Sequence, residues 1–144
     1  MRNADEWFRL MVETGLAPGL RALGLSGTGR RYRMVRDAHV GQVSILQSNL
    51  GPRSTRFTLA LSVAATDEWT SQLRIRPYLR GSHAGTGWQE RIGNLILVGS
   101  GVPIGDLWWQ VDVGKPFGSL SREVLSTVRE FGLPAIHDQI RGRS

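Results

Sequence analysis

Three consecutive stretches, residues 30–36, 42–48 and 56–63, alternate apolar and polar side chains. Alternation with a period of two dictates β-strands, because successive side chains on a strand point to opposite faces. Turn-forming residues join the three stretches: Asp37, Ala38 and His39 first, then the run 49–54 with its Gly51 and Pro52. Connections this short make antiparallel neighbours. One face of the resulting sheet carries Tyr32, Met34, Val43, Ile45, Phe57, Leu59, Leu61 and Val63. The other carries Arg31, Arg33, Gln42, Ser44, Ser48, Arg56, Thr58 and Ser62, with Leu46 as its apolar exception.

The flanking segments read as helices. Asn3 is a good N-cap with Glu6 three residues on, the pattern of a capping box. Trp7, Leu10, Met11 and Thr14 follow at helical spacing, and Gly15 and Pro18 interrupt, so a broken helix is expected over about 4–23. Near the other end, Ser119 is placed to cap a helix whose stripe is Leu120, Val124, Val128 and Phe131. Gly132 and Pro134 read as its stop, with a last short helix from Pro134 to about Arg141.

Between these lie a loop at 26–29, a short strand at 73–76 ended by Pro77, and a glycine-rich loop at 81–87. An extended piece at 88–92, a loop at 99–103 and a strand at 106–111 follow. The order helix, strands, helix predicts an α+β domain. Its antiparallel sheet has about four to six strands, packed by N-terminal and C-terminal helices. At 144 residues the chain is one domain, long enough to bury a core without covalent staples.

The charge needs care. The formal net charge is +6, which attracts anionic partners. Lys115 is the only lysine among 18 basic residues, however. Arginine usage that one-sided, with abundant glycine and alanine, is also what a GC-rich genome produces. The basic residues are spread out, and only Arg30, Arg31, Arg33 and Arg36 form a tight cluster.

Catalytic chemistry finds few candidates. Without cysteine there are no disulfides, thiolate metal sites or thiol nucleophiles, and the expected compartment is the cytoplasm. The N-terminus shows no basic region followed by an apolar run, and no apolar stretch approaches the about 18 residues of a membrane span, so no membrane association is expected. His39, His83 and His137 share no metal-ligand spacing. Ser26-Gly27-Thr28-Gly29 leads into a strand rather than a helix and lacks the Gly-Lys-Ser/Thr of a phosphate loop. Neither Asp67-Glu68 nor Glu90 offers a paired acid and base. No cofactor is expected, and no catalytic residue is assigned.

Three smaller features remain as candidate binding groups. Gln47 is in phase with the apolar face of its strand, so its amide either bonds at the strand end or lines a pocket. Trp108 and Trp109 are adjacent and must point to opposite faces, one anchoring the core. Arg91, two residues before Gly93, is placed to pair with a carboxylate or a strand-end carbonyl.

Several pieces recur in a set. They are Leu23-Gly24-Leu25, 29–33, 43–48, 57–63, Arg91-Ile92-Gly93, Leu107-Trp108-Trp109 and Leu133-Pro134. In this order they resemble the bacterial domain of unknown function 4304 family. Members usually carry an aromatic residue where this chain has Leu25, and the stretch 64–88 departs from the pattern. The resemblance implies a single α+β domain of bacterial origin and no particular activity.

The leading expectation is a non-catalytic interaction protein, of an accessory or immunity type, that meets a protein partner through the polar sheet face or the sheet edge. The candidate residues are Arg31, Arg33, Gln47, Ser48, Arg56, Arg91, Trp108 and Trp109. A second expectation is nucleic-acid binding by the same face, with a displayed tryptophan stacking on a base. A third is a small-ligand pocket or enzyme site around Gln47, Arg91 and one of Trp108 and Trp109.

Overall fold

The computed structural model describes residues 3–67, 87–98 and 101–143. The expected strand at 73–76, the loop at 81–86, Glu68 and His83 lie outside the described residues.

Helix α1 (Ala4–Met11) begins at Asn3, whose Oδ1 accepts the Glu6 amide at 2.9 Å. It runs without a break through a π-helical turn (Val12–Leu16) into α2 (Ala17–Ala22). At the other end, α3 (Gly118–Thr127) passes through a second π-helical turn (Val128–Gly132) into α4 (Leu133–Arg143). The interruptions expected at Gly15, Pro18, Gly132 and Pro134 are therefore not breaks.

The two prolines explain both turns. An interior proline has no amide to donate, and its ring collides with the carbonyl four residues back. Just before Pro18 the Ala17 amide bonds the Val12 carbonyl, and just before Pro134 the Leu133 amide bonds that of Val128. Each bond spans five residues, which widens the turn that the proline ring enters. The Ser119 cap is not formed either. Helix α3 starts at Gly118 with no side-chain cap, and Ser119 Oγ accepts from Arg122 Nη2 at 3.2 Å.

The sheet is antiparallel and six-stranded: β1 (Ser26–Thr28), β2 (Arg31–Arg36), β3 (His39–Gly51), β4 (Ser54–Ala65) and β5 (Trp88–Arg91) in that order, with a further strand on β4. Strand β1 occupies a stretch that reads as a loop, since Ser-Gly-Thr carries no apolar alternation. Asp37 and Ala38 make the β2–β3 turn with φ of 50° and 60°. A bulge between Asn49 and Gly51 interrupts the long β3–β4 hairpin near its tip. A separate two-stranded hairpin follows, β6 (Leu97–Val98) against β7 (Val102–Pro103), and β8 (Trp109–Asp112) completes the large sheet. Of the loop expected at 99–103, Val102 and Pro103 form β7, and residues 99 and 100 lie outside the described residues.

The four helices α1–α4 pack on the apolar face, so among the described residues the core lies between them and the sheet. The Phe8 and Phe57 rings lie 5.4 Å apart, and Phe57 stacks on to Trp109 at 5.5 Å. Met11, Leu16, Leu20, Val43, Leu59, Leu61, Val128, Ile136 and Ile140 fill the space between. Gly41 lets α4 approach β3, since a methyl group there would lie 2.4 Å from Ile136 Cγ2.

Candidate functional site

The opposite sheet face divides into a closed centre and open margins. Gln42, Ser44, Thr58 and Ser62 are buried, and Gln42 Nε2 donates to Ser44 Oγ at 2.8 Å. Arg31 and Arg33 are exposed on β2 at one margin. Across the sheet, Arg31 stands in register with Ser44, then Ala60, then Arg91. Three strand spacings therefore separate Arg31 from Arg91, about 14 Å.

At the Arg91 margin the candidate residues converge. Strands β5 and β8 pair with different stretches of β4, Ala60–Val63 and Ser54–Phe57. The chain thus leaves this edge at Arg91 and returns to it at Trp109. Just before the return, the Trp108 indole lies with the Arg56 guanidinium carbon 4.3 Å from its ring centroid and that of Arg91 at 5.7 Å. Arginine stacked on an aromatic face is held by the ring quadrupole and by planar contact. Trp108 Nε1 donates to Asp106 Oδ1 at 2.8 Å, and Arg91 Nη1 stands 3.9 Å from the same oxygen. Among the described residues, Arg56 Nε is buried without a hydrogen-bond acceptor. The Trp108 ring thus contacts this guanidinium where its Nε finds no such partner.

Ser48 stands beside Arg56 in the β3–β4 register and is half-buried. Gln110 stands on the other side of Arg56. It donates to Asp112 Oδ1 at 2.9 Å, and Ser54 Oγ donates to the same oxygen at 2.6 Å. These two bonds, with Lys115 nearby, hold the Asp112 carboxyl below its ordinary pKa.

Gly93 explains how Trp108 is delivered. It lies in a 3-10 turn (Ile92–Leu95), and the Gly105 amide donates to its carbonyl at 3.1 Å. A methyl group on Gly93 would sit 1.8 Å from the Gly105 carbonyl oxygen. Only glycine allows the two backbones to approach this closely. Ile92 beside it is fully buried, so the turn is anchored from below.

Gln47 and Trp109 belong elsewhere. Gln47 pairs with Phe57, and Phe57 pairs with Trp109, so both lie on the helix side. Trp109 is 6% exposed and part of the core. Gln47 Nε2 lies 2.8 Å from Asp5 Oδ1, 3.1 Å from Thr55 Oγ1 and 3.2 Å from Asn49 Oδ1, tying the start of α1 to the sheet. Gln47 and Arg91 project from opposite faces because Phe57 and Ala60, their partners on β4, are three residues apart. A common pocket around Gln47, Arg91 and a tryptophan is therefore not formed.

Sequence reasoning missed two contributors. One is Asp106, which bonds the indole and faces Arg91. The other is the β6–β7 hairpin, where Leu97, Val98, Val102 and Ile104 are 43–59% exposed. Its signal was present, since Gly-Ser-Gly between two apolar pairs is hairpin punctuation. Among the described residues no three His, Cys, Asp or Glu side chains gather as a metal site, and no helix is long and apolar enough to cross a membrane.

Compared with family models, curated proteins and solved structures, the chain matches none. The resemblance to the domain of unknown function 4304 family therefore rests on its sequence motifs alone.

Proposed function

We propose that this is a non-catalytic interaction protein whose docking surface combines the Arg56–Trp108–Arg91 cluster with the β6–β7 hairpin. The observation that carries the reading is their continuity. The apolar hairpin springs from the turn at Gly93 and returns through Gly105 to Asp106 and Trp108. Four large apolar side chains are exposed in the segment that joins Gly93 to the tryptophan held by the two arginines. Protein interfaces are enriched in tryptophan and arginine around an apolar centre. Fully burying an aliphatic side chain is worth roughly 1.5–3 kcal/mol. The fitting partner is a protein surface with an apolar groove flanked by carboxylates.

The test compares capture of partners from the native host by the wild-type chain and by the Val102→Asp and Arg91→Glu variants. Both positions are exposed, so the variants keep the fold. One protein enriched by the wild type and lost with both variants is the expected result. If no protein is enriched, or the same one is retained by both variants, the reading fails.

Nucleic-acid binding is favoured by one specific arrangement: Trp108 is half-exposed between two arginines, with Arg31 and Arg33 on the same face. It predicts oligonucleotide affinity that falls steeply with salt. Phosphate contacts, however, give no role to the apolar hairpin, and Asp106 opposes them. Absence of an oligonucleotide shift at low salt disposes of this second reading.

A further inference from the structure

At the opposite edge of the sheet, α1, α2 and the β1–β2 turn enclose a cavity of about 370 Å³. This is within the size range of small-molecule sites. Its lining presents more apolar than polar surface, backed by the buried core residues Phe8 and Tyr32. Its rim carries three guanidinium groups, Arg9, Arg21 and Arg30, against one carboxylate, Glu13.

The rim is partly ordered in advance. Arg21 donates Nε and Nη2 to the Gly27 carbonyl at 3.1 and 3.0 Å, which fixes its plane. Its Nη1 has no protein acceptor among the described residues. The Arg30 guanidinium carbon lies 5.3 Å from the Phe8 ring centroid. Holding a guanidinium before a ligand arrives reduces the ordering that binding requires. Tyr32 Oη donates to the Gly29 carbonyl at 2.9 Å, and burial pushes its pKa up, so the lining is backed by a neutral phenol.

We propose that this cavity binds a small organic carboxylate with an apolar body, the carboxylate on the arginine rim and the body against the cavity's apolar lining, which Phe8 and Tyr32 back. Guanidinium matches a carboxylate with paired hydrogen bonds. An aromatic or aliphatic body fits a lining whose backing phenol is already bonded. Polyphosphates suit the site poorly. The glycines at 27 and 29 lead into a strand rather than a helix N-terminus, and Glu13 repels additional negative charge on the rim.

Amide resonances of the full chain, titrated with phenylacetate, benzyl alcohol and inorganic phosphate, test the proposal. Phenylacetate is expected to saturate in the millimolar range and to move the amides of Val12, Gly29 and Arg30. Benzyl alcohol and phosphate are each expected to bind at least about tenfold more weakly, since each offers only half of the recognition. The exposed double variant R9Q/R30Q should lose phenylacetate binding by at least the same factor while its spectrum stays that of the folded chain. The variant R56E/R91E, altered only in the surface described under the proposed function, should bind phenylacetate like the wild type. Absence of saturable shifts overturns the proposal. So does phosphate binding as tight as phenylacetate, unchanged affinity in R9Q/R30Q, or loss of affinity in R56E/R91E.

Discussion

At the scale of single residues, Gly93 and Ala38 carry opposite consequences. A methyl group on Gly93 meets a backbone oxygen, which cannot rotate away as a side chain would. Gly93→Ala must therefore push the 104–108 segment off its seat. The expected loss is about 1–3 kcal/mol by urea denaturation, the range for overpacking. Tryptophan emission should shift to the red as Trp108 leaves the two arginines. Unchanged emission with unchanged stability would refute the docking role given to Gly93. Ala38 is the reverse case. It holds φ of 60° in a two-residue turn, a conformation that costs a non-glycine residue roughly 1–2 kcal/mol. Ala38→Gly should gain about 1 kcal/mol, somewhat less than the relieved strain because glycine also loosens the unfolded chain. Neither effect could be read from the sequence. Gly93 is one of 18 glycines, and its need shows only once Gly105 is brought against it. Asp-Ala is not a usual sequence for this turn, which favours Asn-Gly or Asp-Gly.

The elements were legible where side-chain period spoke plainly. Strands β2, β3 and β4 followed from alternation, because a strand with one buried face has little freedom in register. Their apolar faces met the helices as the pattern required. Strand β1 and the β6–β7 hairpin were less visible, being two or three residues per strand and too short for a period to emerge. The candidate site was half legible for the same reason. The opposite facing of Trp108 and Trp109 follows from adjacency alone, whereas the Arg56–Trp108–Arg91 contact depends on where a connection of 17 residues, 92–108, brings the chain back to β4. The helices erred in a more instructive way. Proline inside a helical pattern reads as a break, yet both prolines follow a π-helical turn and the helices continue. That arrangement makes a prediction. An interior proline ordinarily costs about 3 kcal/mol relative to alanine. If the widened turn absorbs the ring, Pro18→Ala should gain less than about 1 kcal/mol in urea denaturation. A gain near the full penalty would show that the turn leaves the proline strained.

For the whole molecule, pH tests how the two layers are joined. His137 lies on α4 and is half-buried. Burial, then Arg36 at the end of β2, then Arg141 one turn along α4, depress its pKa below the ordinary histidine value. Each disfavours the imidazolium in the folded state alone. The unfolded chain therefore binds more protons than the folded one in the interval between the two pKa values, and stability rises with pH there. On acidification the loss begins near the unfolded value, about 6.5, and ends once pH has passed below the folded pKa. Asp112 behaves with the same sign in a lower window. Its stabilisation is complete above the ordinary carboxylate value and is lost only as pH falls through its depressed pKa. The two windows are separated by the gap between histidine and carboxylate titration. A series of urea midpoints from neutral to mildly acidic pH should therefore fall as His137 takes up its proton. His137→Gln should flatten that first limb and leave the lower one unchanged. Urea is the appropriate denaturant, because guanidinium chloride would screen Arg36 and Arg141 and shrink the effect. A midpoint series in the His137→Gln variant as steep as in the wild type would place the acid sensitivity elsewhere. It would also show that burial and the charges of Arg36 and Arg141 do not keep this imidazole from its proton.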